Sequence, residues 1–337
     1  MPELPEVTTT VNGINIECTG WTINDVWTDL AVNKPSRIDF YQTIKYLPYF
    51  KNFAKIVKGK KIMGATRRGK NILIKLNSKE TILIHMKMTG HMMVGNYEFK
   101  IQKVKVKNKI ENIKSWTPSK DEKNLALLDP YNRFIHFVFT LTPPQPSPKL
   151  GQGEINKKIK HLVLCDTRKF AKIALLENED HHKIHLSSHG PEPINPDISY
   201  KDFVKALDTA PANNRPIKIL LMDTRTISGI RNIYSDEMLF SASIHPQSKW
   251  SKIPESSRKI LYREMLKVLK KGIDFGGDSM SDYRNIYGMR GEFQNNHNAY
   301  RKTGSKCSKS GCSGTITRTV ITGRSSHYCP THQQIYK

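Results

Sequence analysis

The chain has 337 residues, 37% of them hydrophobic, and a mean hydropathy of −0.53, which allows two or three domains and a substantial core. No apolar run approaches the ~20 residues of a membrane-spanning helix, and the acidic N-terminus lacks the apolar segment of a signal peptide, so we expect a cytoplasmic protein without a membrane partner. Its 54 basic against 30 acidic residues leave a net charge of +24, which predicts a polyanionic partner.

The positive charge is clustered. Residues 51–75 hold nine basic residues and residues 301–337 hold seven, with no acidic residue in either stretch. A merely lysine-rich proteome would explain the total, but the clustering favours surface patches. Neither stretch has the pattern of a basic amphipathic helix, so an anionic membrane is the weaker alternative to nucleic acid.

The N-terminus holds two residues with catalytic chemistry. Removal of Met1 would expose the secondary amine of Pro2, and an α-amino group titrates at about 7.7–8.0, so part of it is uncharged near neutral pH. Such an amine can attack a carbon and form an iminium, with Glu3 beside it as acid or base. Alternatively, proline and acidic residues simply begin a helix, and these two residues alone leave both interpretations open.

Hydrophobic periodicity predicts a first helix from Pro5 to Cys18, followed by an antiparallel β domain. Its strands are expected at 23–27, 62–65, 72–76, 81–86, 134–141, 161–165 and 173–176. The Pro- and Gly-rich segment 143–153 predicts a flexible insertion within 100–160, and the lysine-rich run 103–114 predicts a second exposed loop. After a Pro-rich hinge, helices are expected at 200–207, 216–222, 233–242 and 256–271, with a loop at 276–291.

Three of the five cysteines cluster in the last 38 residues. After Cys307 and Cys312, sixteen residues intervene before the second pair, Cys329 and His332. Two such ligand pairs predict one tetrahedral Zn²⁺. Four protein ligands leave no open position for water, so the site is expected to be structural. Segments 315–320 and 326–328 predict a hairpin with Gly323 near its turn. Arg324 on that turn is either a solvated arginine or a phosphate contact.

Several motifs resemble those of the formamidopyrimidine-DNA glycosylase family. They are the opening string Met-Pro-Glu-Leu-Pro-Glu-Val, Arg-Arg-Gly-Lys at 67–70, His-Met-Lys-Met-Thr-Gly at 85–90, Asp-Thr-Arg-Lys-Phe at 166–170, His-Gly-Pro-Glu-Pro at 189–193, and the segment 222–246. The resemblance implies an α+β fold: an N-terminal antiparallel β-sandwich domain with an N-terminal helix (1–186, with the insertion), a hinge (187–199), a helical helix-two-turns-helix domain (200–299) and a terminal zinc-ribbon β-hairpin (300–337).

The resemblance also implies residue roles. Pro2 would be the nucleophile, Glu3 the acid and base, and Lys70 would grip DNA near the lesion. The gap left by the extruded nucleotide would be filled by Met88, Arg168 and Phe170, and the loop 281–294 would cover the extruded base. Phosphate-binding positions would be His85, Asn232, Tyr300 and Arg324, together with Lys70. Glu6 is expected to support the N-terminal helix rather than the chemistry.

The implied function is a bifunctional DNA glycosylase and AP lyase that excises oxidised purines, such as 8-oxoguanine or formamidopyrimidines, and cuts the strand by β,δ-elimination. Its partner would be double-stranded DNA containing a damaged base, and a monomer is expected. Three alternatives stay open: an endonuclease VIII-like enzyme for oxidised pyrimidines, a non-catalytic damage-binding protein, and a general zinc-ribbon nucleic-acid binder. Leu4, where endonuclease VIII usually has glycine, speaks modestly against the first.

The chain departs from the family pattern at three places. His332 stands where bacterial members usually have a fourth cysteine, and four residues rather than two separate Cys307 from Cys312. Arg231 replaces a usual glycine beside Asn232. If that glycine needs a positive φ, Arg231 would strain the turn; it would otherwise be available as a phosphate contact.

Overall fold

This computed structural model describes residues 2–106, 109–144, 159–178, 181, 186–210, 214–280 and 282–337, with the backbone alone over 102–106 and 109–113. Within those residues, no helix combines the length and the apolar character that crossing a membrane requires. The chain begins with a helix, continues as an antiparallel β domain and ends in a helical domain and a small hairpin.

Two four-stranded antiparallel sheets form the β domain. The first sheet has the order β1 (Thr22–Thr28), β8 (Ile135–Thr142), β9 (Lys160–Cys165) and β5 (His91–Gly95). The second has the order β10 (Lys172–Leu176), β4 (Thr81–His85), β3 (Asn71–Leu76) and β2 (Ile62–Arg68). Their buried aliphatic side chains meet in one core with Phe137 and Phe139, whose rings lie 4.6 Å apart. Burial of these apolar faces is the main stabilising term of the sandwich.

Helix α1 (Leu4–Cys18) connects the two domains. Val7, Val11 and Ile14 pack into the core of the sandwich, at the helical spacing that the sequence shows. Leu4, at the other end of the helix, is fully buried in the core of the helical domain. Gly229 packs against Leu4 so closely that any side chain at position 229 would collide with the Cβ of Leu4. The φ of +91° at Gly229 also favours glycine.

The helical domain contains α3 (Tyr200–Asp208), α4 (Ile217–Met222), α5 (Asn232–Ser241) and α6 (Glu255–Asp274). Ser199 caps α3 by accepting a hydrogen bond from Asp202 N–H. The core of this domain is built around large side chains, including Phe203, Tyr234 and Trp250. Residues 276–292 contain no regular helix or strand among the described positions, as expected.

The terminal hairpin, β11 (Thr317–Ile321) and β12 (Arg324–Tyr328), turns at Thr322 and Gly323, which both have positive φ. A buried ion pair holds it against the helical domain. Lys218 Nζ on α4 donates hydrogen bonds of 2.6 Å to Asp236 Oδ1 on α5 and of 2.6 Å to the carbonyl of Ser325. The other oxygen of Asp236 accepts from the backbone N–H of His327 at 3.0 Å. The predicted α+β fold class is therefore confirmed.

The structure corrects one expected loop and adds one helix and one strand, β5, to those predicted. Of the lysine-rich run 103–114, residues 103–106 and 109–114 lie on two paired strands, β6 (Tyr97–Val106) and β7 (Lys109–Pro118), and Val104 and Val106 alternate there with lysines. The abundance of lysine hid that alternation. Helix α2 (Leu47–Val57) was not foreseen within the first basic stretch. The Pro-rich insertion lies, beyond residue 144, outside the described residues.

Candidate active site and metal centre

The predicted catalytic pair lies at the start of α1. Pro2 and Glu3 are buried, and the adjoining Glu6 carboxylate accepts a 2.7 Å hydrogen bond from Glu3 N–H in a capping-box arrangement. Leu4 N–H donates to the carbonyl of Gly229 at 3.1 Å. The N-terminus of α1 is thereby fixed against the residues that precede α5.

The Glu3 carboxylate also reaches the N-terminus of α5. Its Oε2 accepts from Arg231 N–H at 3.0 Å and its Oε1 from Ile233 N–H at 3.1 Å. Burial, and secondarily the nearby Glu6, raises the pKa of Glu3 to about 8, although the two N–H donors favour its ionised form. A carboxyl with that pKa is mostly protonated near neutral pH and can donate a proton as well as accept one.

Glu6 is fully enclosed by hydrogen-bond donors. Besides Glu3 N–H, it accepts from the Tyr234 hydroxyl at 2.6 Å and from Asp278 N–H at 2.7 Å. The hydroxyl of Tyr283 donates to the Glu6 carbonyl at 3.1 Å. Glu6 thus links α1, α5 and the loop after α6, which agrees with a supporting role and places the described part of that loop beside the catalytic pair.

Lys70 is buried, and its Nζ has no hydrogen-bond partner among the described residues. Burial, and then the Arg231 charge, lowers its pKa to about 7. The three residues before Lys70 bind the hinge instead of the site. Arg67 and Arg68 both bind the Glu192 carboxylate of the hinge, and Gly69 N–H donates to the same carboxylate at 2.5 Å. This contact joins the β2–β3 turn to the hinge and leaves Lys70 available for a ligand.

Two cavities flank this centre. One, of about 280 Å³, is lined by Glu3 and by four other predicted site residues: Met88, Asn232, Tyr300 and Arg324. The other, of about 310 Å³, is lined by Lys70 and His85. Burial and neighbouring cations lower the pKa of His85 well below its usual value, so its ring is neutral. Since its Nδ1 accepts from Lys87 N–H at 3.0 Å, its proton lies on Nε2. Arg231 lines both cavities.

The three predicted gap-filling residues lie on two surface loops. Met88 and Phe170 are 40% and 44% exposed, which is unusual for large apolar side chains and matches a surface that contacts a partner. The guanidinium of Arg168 stacks over the Phe170 ring at 4.5 Å. Asp166 joins both loops by accepting from the Thr89 hydroxyl, from Arg168 N–H at 3.3 Å and from Ala171 N–H at 2.7 Å. Arg168 and Phe170 line neither of the two cavities.

The remaining phosphate candidates are held by the helical domain and the hairpin. Glu237 accepts hydrogen bonds from the backbone N–H groups of residues 298, 299 and 300 and so fixes the position of Tyr300. The Tyr300 ring packs edge-to-face on His327 of the hairpin, 5.1 Å between centroids. Arg324 is exposed at the start of β12.

The predicted metal ligands form a cluster. The ligand atoms of Cys307, Cys312, Cys329 and His332 all lie within 4.8 Å of one another, which fits tetrahedral Zn²⁺. His332 Nε2 lies 3.1 Å from the Phe240 carbonyl, and the ring thereby directs Nδ1 towards Cys307 Sγ, 3.2 Å away. The longer first loop and the histidine are therefore compatible with the site. A bound Zn²⁺ would hold the chain ends of the hairpin together and supply no reaction chemistry.

Comparison with known proteins assigns the family. The N-terminal domain model of formamidopyrimidine-DNA glycosylase matches residues 1–173, and its H2TH domain model matches residues 189–284. The chain is 31% identical to formamidopyrimidine-DNA glycosylase of Roseobacter denitrificans over 333 residues, which cover 98% of each chain. The chain belongs to the formamidopyrimidine-DNA glycosylase family.

Other members of the formamidopyrimidine-DNA glycosylase family are also similar to this chain over nearly its whole length. The protein of that name from Chloroflexus aurantiacus is 29% identical, with 99% of this chain and 98% of the relative covered. Lactococcus lactis Fpg, solved with DNA containing an abasic site, aligns with a TM-score of 0.72 and 25% identity over 98% of this chain and 99% of that chain. The chain is thus a DNA glycosylase of this family, and the predicted enzyme class and zinc site are confirmed.

Against the family pattern, the structure answers the question of strain at Arg231. Its φ is −140° and its ψ is −154°, an extended conformation that any residue adopts, so the turn carries no strain from the missing glycine.

Four polar residues were not given roles in the sequence: Asp166, Glu192, Asp236 and Glu237. All four lie inside motifs or segments that resemble the family, which was the available signal. The partners of Asp236 and Glu237 lie far away along the chain, so no local pattern shows what these two residues bind.

Proposed function

We propose that the enzyme excises oxidised purines from double-stranded DNA and then cuts the strand by β,δ-elimination. The observation that carries the proposal is the position of Glu3: it follows Pro2 directly in the chain, lines a cavity with Asn232 and Arg324, and has a pKa raised to about 8. The solved Lactococcus lactis Fpg complexes contain abasic-site DNA and Fapy-dG DNA, which supports the same class of substrate.

In this proposal Pro2 is the nucleophile, once Met1 has been removed. Its amine attacks the sugar C1′ of the extruded nucleotide and displaces the base, so that a C–N bond to the protein replaces the glycosidic bond. Glu3 donates a proton as the sugar ring opens to the Schiff base and accepts protons during elimination. Lys70 and its neighbouring cations stabilise the developing negative charge and hold the phosphates.

The other predicted residues would hold the DNA. His85, Asn232, Tyr300 and Arg324 would bind phosphates, since they line the cavities around Glu3 and Lys70. Met88, Arg168 and Phe170 would enter the duplex and replace the stacking of the extruded nucleotide. Their exposure on two loops that Asp166 joins supports this assignment.

The proposal keeps the functional units predicted from the sequence: residues 1–186, the hinge 187–199, residues 200–299 and residues 300–337. One protomer supplies every proposed catalytic residue, so a monomer suffices. The curated relatives named above come from bacteria, whose DNA lies in the cytoplasm, and we propose that location for this enzyme.

Borohydride trapping tests the proposal. The enzyme is incubated with duplexes that carry 8-oxoguanine opposite cytosine, an oxidised pyrimidine, or an abasic site, and covalent adducts are counted for the wild type and for Pro2→Gly. The expected result is an adduct at the purine lesion that Pro2→Gly abolishes while duplex affinity is largely kept. Trapping at the pyrimidine lesion alone would show that the enzyme has endonuclease VIII-like specificity for oxidised pyrimidines. No adduct on any duplex, from protein shown to begin at Pro2, would contradict an N-terminal nucleophile.

A further inference from the structure

Arg231 occupies a central position in the site although the resemblance assigns it no role. It precedes α5, and its backbone N–H donates to Glu3 Oε2 at 3.0 Å. Among the described residues, Arg231 alone lines both cavities, that beside Glu3 and that beside Lys70. A ligand that enters either cavity therefore lies next to Arg231.

The Arg231 side chain has unused hydrogen-bonding capacity. Its Nε is buried and has no partner among the described residues, and the same holds for Lys70 Nζ and Asn232 Oδ1. Buried donors are normally paired, because their water has been removed without replacement. Arg231 Nε and Lys70 Nζ are therefore two unpaired cationic donors on residues that line these two cavities, and they indicate an anionic ligand that supplies the missing acceptors.

The charges around Arg231 favour the same ligand. Among the described residues that line the two cavities, the cations are Lys70, Lys87, Lys172, Arg231 and Arg324, and the single carboxyl is Glu3. Because burial raises the pKa of Glu3 to about 8, that carboxyl is mostly neutral and does not compensate the cations. Lys70, with a pKa of about 7, loses about half its charge near neutral pH, whereas an arginine stays protonated.

We propose that Arg231 is an additional phosphate ligand, which binds the DNA phosphodiester next to the extruded nucleotide together with Lys70 and so positions the sugar against Pro2. This inference rests on the proposed function. A planar guanidinium can donate two parallel hydrogen bonds to one phosphate, whereas the ammonium group of lysine lacks this fixed planar geometry. Arg231 is thus a positioning residue that maintains the phosphate grip at pH values where Lys70 is neutral.

Salt-dependent binding tests the assignment. The probe is a duplex with a tetrahydrofuran abasic analogue, and Kd is measured against salt concentration for the wild type, Arg231→Gln, Arg231→Lys and the control Arg263→Gln. Arg263 is exposed on α6 and lines neither cavity. Loss of one phosphate contact should lower the slope of log Kd against log salt by about 0.9 in Arg231→Gln. Its affinity should fall by roughly tenfold, as expected for one charge-assisted hydrogen bond.

Arg231→Lys should keep the slope and regain part of the affinity, and Arg263→Gln should match the wild type. The proposal would be overturned if Arg231→Gln had the wild-type slope and affinity. It would also be overturned if Arg263→Gln lowered the slope as much as Arg231→Gln does. Thermal unfolding of each variant separates a folding defect from a lost contact, and the lysine variant provides the same test if glutamine fails to fold.

A pH series adds a readout that a merely structural arginine would not move. The affinity ratio of wild type to Arg231→Gln should fall between pH 6 and 8. In the wild type Lys70 loses its charge in that window, whereas removal of the Arg231 charge raises the Lys70 pKa and keeps Lys70 protonated in the variant. A constant ratio would contradict the shared phosphate. Failure of the proposed function is recognised separately: the wild type would then form no borohydride adduct, whatever the slope of Arg231→Gln.

Discussion

The hydroxyl of Tyr234 donates a 2.6 Å hydrogen bond to the carboxylate of Glu6, and this bond ties the first turn of α1 to α5 in the helical domain. Both side chains are buried. Because Glu6 also accepts the N–H of Glu3, a disturbance on α5 reaches the residue beside the proposed nucleophile. The Glu6 carboxylate therefore fixes both the contact between the two domains and the position of the proposed catalytic residues Pro2 and Glu3.

We first predict the cost of breaking that bond. Tyr234→Phe should lower the free energy of unfolding by about 1–3 kcal/mol, because it removes one donor from a buried carboxylate. Tyr262→Phe is the matched control: its hydroxyl donates at 2.7 Å to the neutral carbonyl of Ile198 and should matter less. Urea unfolding measures both. A smaller loss for Tyr234→Phe than for Tyr262→Phe would contradict the assigned importance of the Glu6 bond.

The raised pKa of Glu3 predicts a pH dependence of stability. Because the folded-state pKa is about 8 and the ordinary value 4.5, the folded protein binds this proton more tightly. The resulting stabilisation is complete below about pH 4.5 and is lost as the pH rises towards 8, by at most about 1.4 kcal/mol per pH unit. Lys70 acts in the opposite direction, but only above its folded pKa of about 7.

Unfolding is measured between pH 5 and 7, where Lys70 does not yet contribute, but His91 and His161, whose pKa values burial lowers to about 4, and Glu6, whose pKa burial raises, also change the stability. The Glu3 effect is therefore the difference between the wild type and Glu3→Gln in this window. Glu3→Gln should lose less stability across this window than the wild type does. Glu255→Gln, at an exposed glutamate on α6, serves as the control and should follow the wild type. Equal slopes for wild type and Glu3→Gln would show that Glu3 has no raised pKa in the folded protein.

The metal centre gives a prediction about ligand chemistry. His332→Cys should keep one zinc per chain, since a fourth thiolate completes a tetrahedral site, whereas His332→Ala and Cys329→Ser should lose it. Metal content and duplex affinity are measured together. Affinity should fall with zinc loss because Arg324 is carried by the hairpin between the ligand pairs. A metal-free variant with full affinity would refute a DNA-docking role for the hairpin.

Lys218→Met should be strongly destabilising. The side chain is 0% exposed, and its removal leaves Asp236 without its ion-pair partner and the Ser325 carbonyl without a donor, at a cost of about 3–5 kcal/mol. Lys270→Met breaks an exposed pair with Asp197 and should cost less than about 1 kcal/mol. Similar losses for the two variants would show that the buried pair does not anchor the hairpin.

The two loops that we propose to face the DNA should depend on the hydroxyl of Thr89. This hydroxyl donates to Asp166 and accepts Arg168 N–H, so it joins the loops that carry Met88 and Arg168. Thr89→Val should reduce the single-turnover trapping rate at a purine lesion several-fold, whereas Thr89→Ser, which keeps the hydroxyl, should retain most of the rate. Equal rates for valine and serine would show that the loops are placed independently of this contact.

Local pattern allowed most regular elements to be predicted. The apolar face of α1 follows the helical period of 3.6, and most strands of both sheets are short apolar runs between turn residues, so both are visible in a single sequence. Strand β5 was not predicted. The hairpin at 97–118 was missed because its Ile and Val positions are interleaved with lysines that suggested a loop. Helix α2 was missed because a run of basic residues was interpreted only as charge.

The sequence by itself determined the chemical inventory: a proline and a glutamate at the start, clustered cations, and four zinc ligands whose spacing is local. Only the tertiary structure decided how these groups act on one another. Arg231, whose N–H binds Glu3, lies 228 positions further along the chain, and no sequence pattern indicates that the two residues are in contact. Likewise, the raised pKa of Glu3 and the lowered pKa of Lys70 arise from burial, which depends on how the two domains close around them.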